Sequence, residues 1–289
     1  MEEYINRFLE YIKYLKNFSP HSIRAYENDL KGFCKYLQTN DLQNAILLYL
    51  SRIQGSKVRT YARKISVIRS FLKFLEENDV NFKKIIFEYL KYPRGERVLP
   101  SFLTFDEVKK IISGIDITNF SGLRDRILFE FIFTSGIRVS EATNLKLADI
   151  SLETRVCRIM GKGSKQRLCF FPKSLQNLLK KYLRERKIFL NMKNKDTDYV
   201  FINRFGDKIT ERSIHRRLVL WGRVAGIGKK IHPHILRHSF ATYLMSAGVD
   251  IMFLKELLGH KSINTTQVYT HINFQDLKKY TDKILEGIT

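Results

Sequence analysis

The chain has 289 residues, 44% of them hydrophobic, which is enough for one large or two ordinary domains with a substantial core and excludes wholesale disorder. Lysine and arginine number 51 against 29 aspartates and glutamates, a formal net charge of +22, so the surface carries a broad positive field suited to a polyanionic partner. The longest stretch free of Asp, Glu, Lys and Arg is the fourteen residues Ser262 to Gln275, too short and too polar to span a bilayer.

The amino terminus, Met-Glu-Glu-Tyr-Ile-Asn-Arg-Phe, places acid where a signal peptide needs positive charge, and no apolar segment follows. The expectation is a cytoplasmic protein with no membrane insertion. Three cysteines, Cys34, Cys157 and Cys169, are odd in number and widely spaced. They predict buried free thiols, not a disulfide framework or a thiolate zinc site.

Residues 1–92 read as helical throughout. Ile5, Phe8, Leu9, Ile12 and Leu15 recur at helix spacing. Ser19 then looks like an N-cap with Pro20 at the first helical position, opening a helix with the stripe Ile23, Tyr26, Leu30, Phe33 and Leu37. A third helix is expected over Leu42 to Ile53. A fourth, from about Ser56, puts Tyr61, Ile65, Ile68, Leu72 and Leu75 on one face, with Arg59, Arg63, Lys64, Arg69 and Lys73 mostly on others. Acid appears only at its far end, at Glu76 and its neighbour Glu77. This positive surface is read either as a solvated face or as a phosphate-contacting one, with Arg59, Arg63 and Lys64 as candidate DNA contacts.

Two prolines and a glycine in Pro93-Arg94-Gly95-Glu96-Arg97-Val98-Leu99-Pro100 preclude a regular helix there. The expected organisation is therefore a helical domain over 1–92, a linker over 93–100 and a second domain over 101–289. Residues 1–92 hold 16 basic and 10 acidic side chains and the remainder 35 and 19. Both parts are thus basic, and a nucleic acid could be gripped from two sides.

The second part opens on the capping box Thr104-x-x-Glu107, followed by a short helix with Val108, Ile111 and Ile112 inward. A longer helix follows from about Gly122 to Thr134. Val156 to Met160 and Leu168 to Phe171 flank Gly-Lys162-Gly-Ser-Lys165-Gln-Arg167, a hairpin signal that makes Lys165 and Arg167 further candidate DNA contacts. Helices resume over about Leu175 to Leu190 and Thr210 to Ala225. From His232 another helix turns Leu236, Phe240 and Leu244 inward and ends near Gly248. His234 and Arg237 share one face near its start, where a helix favours anions. Asp250 caps the next helix, and Ser262 caps a short one carrying Tyr269. The fold class expected is mainly α with a small β-sheet.

Each of these polar residues has an ordinary structural explanation when taken alone. The set is more specific: Arg138 in Thr-Ser-Gly-Ile-Arg-Val-Ser-Glu, Lys162 in the hairpin turn, His234-x-x-Arg237, Leu-Leu-Gly-His260, and Tyr269 in Thr-Thr-Gln-Val-Tyr-Thr-His. It resembles the tyrosine recombinase (phage integrase) family, most closely the XerC/XerD-like site-specific recombinases, over roughly Leu103 to Asn273. By pattern, residues 1–92 resemble that family's SAM-like core-binding domain.

The resemblance implies a C-shaped clamp on double-stranded DNA and a catalytic set of Arg138, Lys162, His234, Arg237, His260 and Tyr269. Tyr269 is then the nucleophile, forming a 3′-phosphotyrosyl intermediate. Arg138 and Arg237 neutralise phosphate charge, Lys162 is the general acid, His234 the base and His260 a hydrogen-bond donor. Glu141 orients the first arginine and the histidine. No ATP, metal or other cofactor is called for. His232, His234 and His238 lie within seven residues, but no cysteine or paired carboxylate completes a metal site, and the arginines already supply positive charge.

Implied too are strand exchange through a Holliday junction by a tetramer on two DNA sites, and chromosome dimer resolution as the use. The absence of an arm-binding domain before residue 1 favours that Xer-like use over integration or excision of a mobile element. The amphipathic tail bearing Phe274, Leu277, Tyr280 and Ile284 docks on a neighbouring protomer or folds onto its own domain. A second recombinase subunit or a DNA translocase remains open as a partner. A type IB topoisomerase and a catalytically silent DNA-binding protein are the readings from other classes, disfavoured by the Xer-like motifs and the six occupied positions.

Overall fold

The computed structural model describes residues 2–37, 41–80, 82, 86–93, 101–161, 166–258 and 282. The chain divides into two compact units, Met1–Leu99 and Pro100–Thr289. Residues 94–100 of the expected linker lie outside the described residues.

The first unit is built from α1 (Glu2–Tyr14), α2 (Pro20–Leu37), α3 (Leu42–Ile53), α4 (Val58–Glu77) and the single turn α5 (Ile86–Tyr89). Ser19 caps α2, its Oγ accepting the Ser22 backbone N–H at 3.2 Å. Asp41 caps α3 by accepting from the Asn44 N–H at 2.9 Å. Ile65, Ile68, Leu72 and Leu75 of α4 are all buried as their spacing predicts. Val67, Phe71 and Phe74 are buried as well, so α4 is enclosed over more of its circumference than the apolar stripe indicates. Phe8 of α1 meets Phe71 edge-on at 5.5 Å between ring centroids and Phe74 at 5.4 Å. Each such buried ring contributes about 1.5–3 kcal/mol relative to exposure.

The second unit contains α6 (Phe105–Ser113), α7 (Phe120–Ser135), α8 (Val139–Asn144), a 3₁₀ turn (Leu147–Asp149), β1 (Ile150–Ser151), β2 (Val156–Met160), β3 (Gln166–Phe170), α9 (Lys173–Met192), α10 (Glu211–Val224), α11 (Pro233–Ser246) and α12 (Ile251–Leu258). The Thr104/Glu107 capping box forms as expected, with Glu107 Oε2 accepting from the Thr104 N–H at 2.7 Å. The strands make one antiparallel sheet in the order β1-β2-β3, with Cys157 opposite Cys169 and Ile159 opposite Arg167.

Helix α7 is the spine of this unit. It is buried on nearly every side, including Arg124, Asp125 and Glu130, so its sequence shows little amphipathic contrast. Those internal charges are paired, as burial requires. Asp125 accepts from Arg124 (2.7 Å), Trp221 Nε1 (3.1 Å) and Arg217, which fastens α7 to α10. Glu130 is bonded by Arg126 at 3.2 Å, and burial raises its pKa above the usual carboxylate value.

Patterning assigns no element to residues 193–209, which are stitched to α9 instead. Tyr182 donates to the Val200 carbonyl at 3.0 Å, and Arg186 to those of Thr197 and Tyr199, both at 2.6 Å. Among the described residues, no helix is long and apolar enough to cross a membrane.

Candidate active site

The site is organised where α7 stops. Gly136 follows α7 with φ +60°, a left-handed conformation that costs an L-residue about 1–2 kcal/mol. Space is equally restrictive, since a Cβ there would lie 2.7 Å from Leu258 Cδ2 and from Phe240 Cδ1. The tight reversal delivers Arg138 to the start of α8, in extended backbone two residues later.

Glu141, one turn into α8, holds Arg138 twice. Its carboxylate accepts from the Arg138 backbone N–H at 2.7 Å and from Nη1 at 2.9 Å. Arg167 of β3 bonds the same carboxylate with both terminal nitrogens, at 2.9 and 2.6 Å. The Glu141 side chain is only 5% exposed. Burial opposes its charge, yet the bonds from Arg167 and from the Arg138 backbone and side chain outweigh that and hold its pKa below the usual carboxylate range.

Arg237 enters from α11 and is buried. Its two terminal nitrogens donate to the Gly136 carbonyl at the end of α7 and to the Leu258 carbonyl at the end of α12. Helix C-termini carry partial negative charge and spare carbonyls, so a guanidinium satisfies both needs. Burial first, and then the neighbouring Arg138, pull its pKa down to about 10, which still leaves it charged near neutrality. Two guanidiniums thus bond one carboxylate while a third, Arg237, interacts with all of them electrostatically, and the excess positive charge suits a phosphate diester, whose oxygens accept planar, two-pronged donors. His234 sits exposed in the first turn of α11, one turn before Arg237.

Of the expected catalytic residues, Arg138, Arg237 and the supporting Glu141 are gathered here, with His234 on the same helix as Arg237. Lys162, His260 and Tyr269 lie outside the described residues, as does Lys165. Arg167, expected as a DNA contact, is placed against Glu141. Its side chain is 14% exposed and its terminal nitrogens are committed to Glu141, because its position on β3 turns it toward α8. Hydropathy offers no signal for that pairing, which joins residues 26 positions apart.

The α4 candidates also differ from a uniform solvated face. Arg59 is exposed, Arg63 bonds buried Asp29, and Lys64 lies over the Tyr49 ring at 5.6 Å. Arg69 is anchored internally, donating to the carbonyls of Phe87 (3.2 Å) and Leu90 (3.1 Å). Arg63 and Arg69 thus tie α4 to its neighbours.

Cys157 and Cys169 are buried free thiols, and Cys34 is a half-buried one. Burial pushes the Cys169 pKa up to about 11 and that of Cys157 upward too, so neither is a ready nucleophile. Among the described residues no group of three His, Cys, Asp or Glu is placed to hold a metal ion.

Two family models match the chain. That of the phage integrase family covers residues 101–276, and that of the phage integrase N-terminal SAM-like domain covers residues 5–78. The chain belongs to the phage integrase family of tyrosine recombinases. The recombinase is 36% identical to the tyrosine recombinase XerC of Oceanobacillus iheyensis, over 96% of this chain and 94% of that one. It is 34% identical to the tyrosine recombinase XerD of Listeria monocytogenes serotype 4b, over 96% and 97% respectively. It is therefore a Xer-type enzyme.

A solved structure of the XerH site-specific recombinase bound to its difH substrate, before cleavage, matches with a TM-score of 0.68 and 26% identity, over 92% of this chain and 80% of that one. A lambda integrase tetramer bound to a Holliday junction shares the fold, with a TM-score of 0.67 and 18% identity over 91% of this chain and 78% of that one.

Proposed function

We propose that this recombinase grips duplex DNA with both of its units, cuts one strand at a time at a specific site, and rejoins it to a partner strand through a Holliday junction. We assign it to Xer-type resolution of chromosome dimers, acting as a tetramer on two sites. The observation that carries the reading is the Arg138–Glu141–Arg167 cluster with Arg237 near it, inside the residues that the phage integrase family model matches.

In the proposed step, the Tyr269 oxygen attacks phosphorus, His234 takes its proton, and the bond from phosphorus to the 5′-oxygen breaks. Lys162 protonates that leaving oxygen. Arg138 and Arg237 stabilise the charge that gathers on the non-bridging oxygens, with His260 donating a further hydrogen bond. A 5′-hydroxyl from the partner strand then reverses the step on the 3′-phosphotyrosyl bond. Bond energy is conserved, so no ATP is needed, and the arginines supply the positive charge a metal would provide.

Covalent trapping tests this. Wild type and Tyr269→Phe are incubated with nicked suicide duplexes carrying candidate chromosomal sites, without metal or ATP, and then denatured. The expected result is a protein-linked 3′ end with wild type alone. Binding without linkage by either protein refutes the catalytic reading.

A further inference from the structure

Arg167 carries a role that neither the motif nor a DNA contact accounts for. It lies on β3 opposite Ile159 of β2, and both of its terminal nitrogens bond Glu141. Its remaining donor, Nε–H, is buried without an oxygen or nitrogen acceptor among the described residues and rests against the Cys169 thiol. That unmet donor is a cost of the present geometry, and the two bonds to Glu141 outweigh it: rotating the guanidinium outward would strand the Glu141 carboxylate inside the protein.

Glu141 in turn holds Arg138 at the backbone and at the guanidinium, so the chain of contacts runs from the sheet through one carboxylate to the arginine proposed to receive phosphate. Two bonds from a planar fork fix the carboxylate plane, and that plane sets where Arg138 points.

We propose that Arg167 is a positioning residue for strand cleavage: by clamping Glu141 to β3 it fixes Arg138 in the geometry that receives the scissile phosphate, and it makes no DNA contact of its own. This rests on the proposed function.

The test compares wild type, Arg167→Met, Arg167→Lys, Glu141→Gln and the Arg167→Met/Glu141→Gln double variant on the trapping duplexes. Thermal melting verifies folding, and duplex affinity is measured across a salt series. Arg167→Met is expected to keep the affinity and salt slope of wild type while single-turnover cleavage at saturating protein falls about 10–100-fold. Arg167→Lys, which keeps the charge but loses the fork, is expected to fall between them.

The double variant is expected to cleave no more slowly than the slower single variant, because both residues act on Arg138 along one path. It also removes both members of the pair, so it reports on the path even where Arg167→Met alone folds poorly. Weaker binding of Arg167→Met with a salt slope shallower by about one, and normal cleavage at saturation, would identify a phosphate contact and overturn the proposal. Multiplicative losses in the double variant, or normal cleavage by Arg167→Met, would overturn it too. If wild type itself forms no covalent complex, the proposed function fails and this inference falls with it; if wild type cleaves and Arg167→Met matches it, this inference fails alone.

Discussion

Replacing Gly136 with alanine separates backbone strain from crowding at the centre of the site. The residue sits at φ +60°, so any side chain costs about 1–2 kcal/mol in conformation alone. A Cβ would also lie 2.7 Å from both Leu258 Cδ2 and Phe240 Cδ1, inside van der Waals contact with two buried side chains. Overpacking of this kind adds about 1–3 kcal/mol. Gly226 is the internal control. It has φ +68° but nothing within 4 Å of its notional Cβ, so Gly226→Ala is charged for conformation only.

Urea denaturation is expected to show Gly136→Ala destabilised by about 3 kcal/mol and Gly226→Ala by about 1 kcal/mol. For a unit of this size the former lowers the melting temperature by roughly 6–12 °C. Gly136 also offers its carbonyl to Arg237 and precedes Arg138 by two residues. Cleavage by Gly136→Ala, measured well below its melting point, is therefore expected to fall about 100-fold, as displaced catalytic groups do. Equal destabilisation by the two substitutions would refute the crowding argument, and normal cleavage by folded Gly136→Ala would refute the coupling to Arg237.

Three further outcomes follow from the same contacts. Removing Arg63 leaves Asp29, which is 6% exposed, without its guanidinium; Arg63→Ala is expected to lose about 1–2 kcal/mol in chemical denaturation, and adding Asp29→Asn to restore most of it, whereas no rescue would show the pair to be inconsequential. Glu141 has a depressed folded-state pKa, so its stabilisation is complete above the unfolded glutamate value of about 4.3 and is lost as pH falls through the lower folded value. The stability gap between wild type and Glu141→Gln should accordingly be flat near neutrality and close on acidification, and a gap unchanged down to about pH 3 would contradict the pairing. Half-buried Cys34 should react with an aromatic disulfide reagent in the native protein while Cys157 and Cys169 react only after unfolding; rapid titration of all three would place the hairpin thiols at the surface.

Local signals decided much of this molecule before any packing is considered. Ser19-Pro20, Asp41 and Thr104-x-x-Glu107 start their helices where capping chemistry predicts, because a cap depends on atoms within four residues. The hairpin read over Val156 to Met160 and Leu168 to Phe171 was legible too, its second strand running Gln166–Phe170 in the structure, since a glycine-containing turn between apolar runs is a local signal. So were Arg138, Glu141, His234 and Arg237 as candidates, through the resemblance of their motifs to those of the tyrosine recombinase family.

The short elements α5, α8 and β1 escaped, being too brief to show a period. The fate of individual charges escaped for a different reason. Arg59, Arg63, Lys64 and Arg69 look alike along α4, yet Arg59 is exposed while Arg63 and Arg69 are committed to partners 34 and 18 or more residues away. Arg167 reads as a basic residue beside a loop until β3 turns it onto Glu141. Whether a cation meets solvent, a carboxylate or a carbonyl depends on which elements pack across from it, and that is set by tertiary contacts between residues that hydropathy and spacing never bring together.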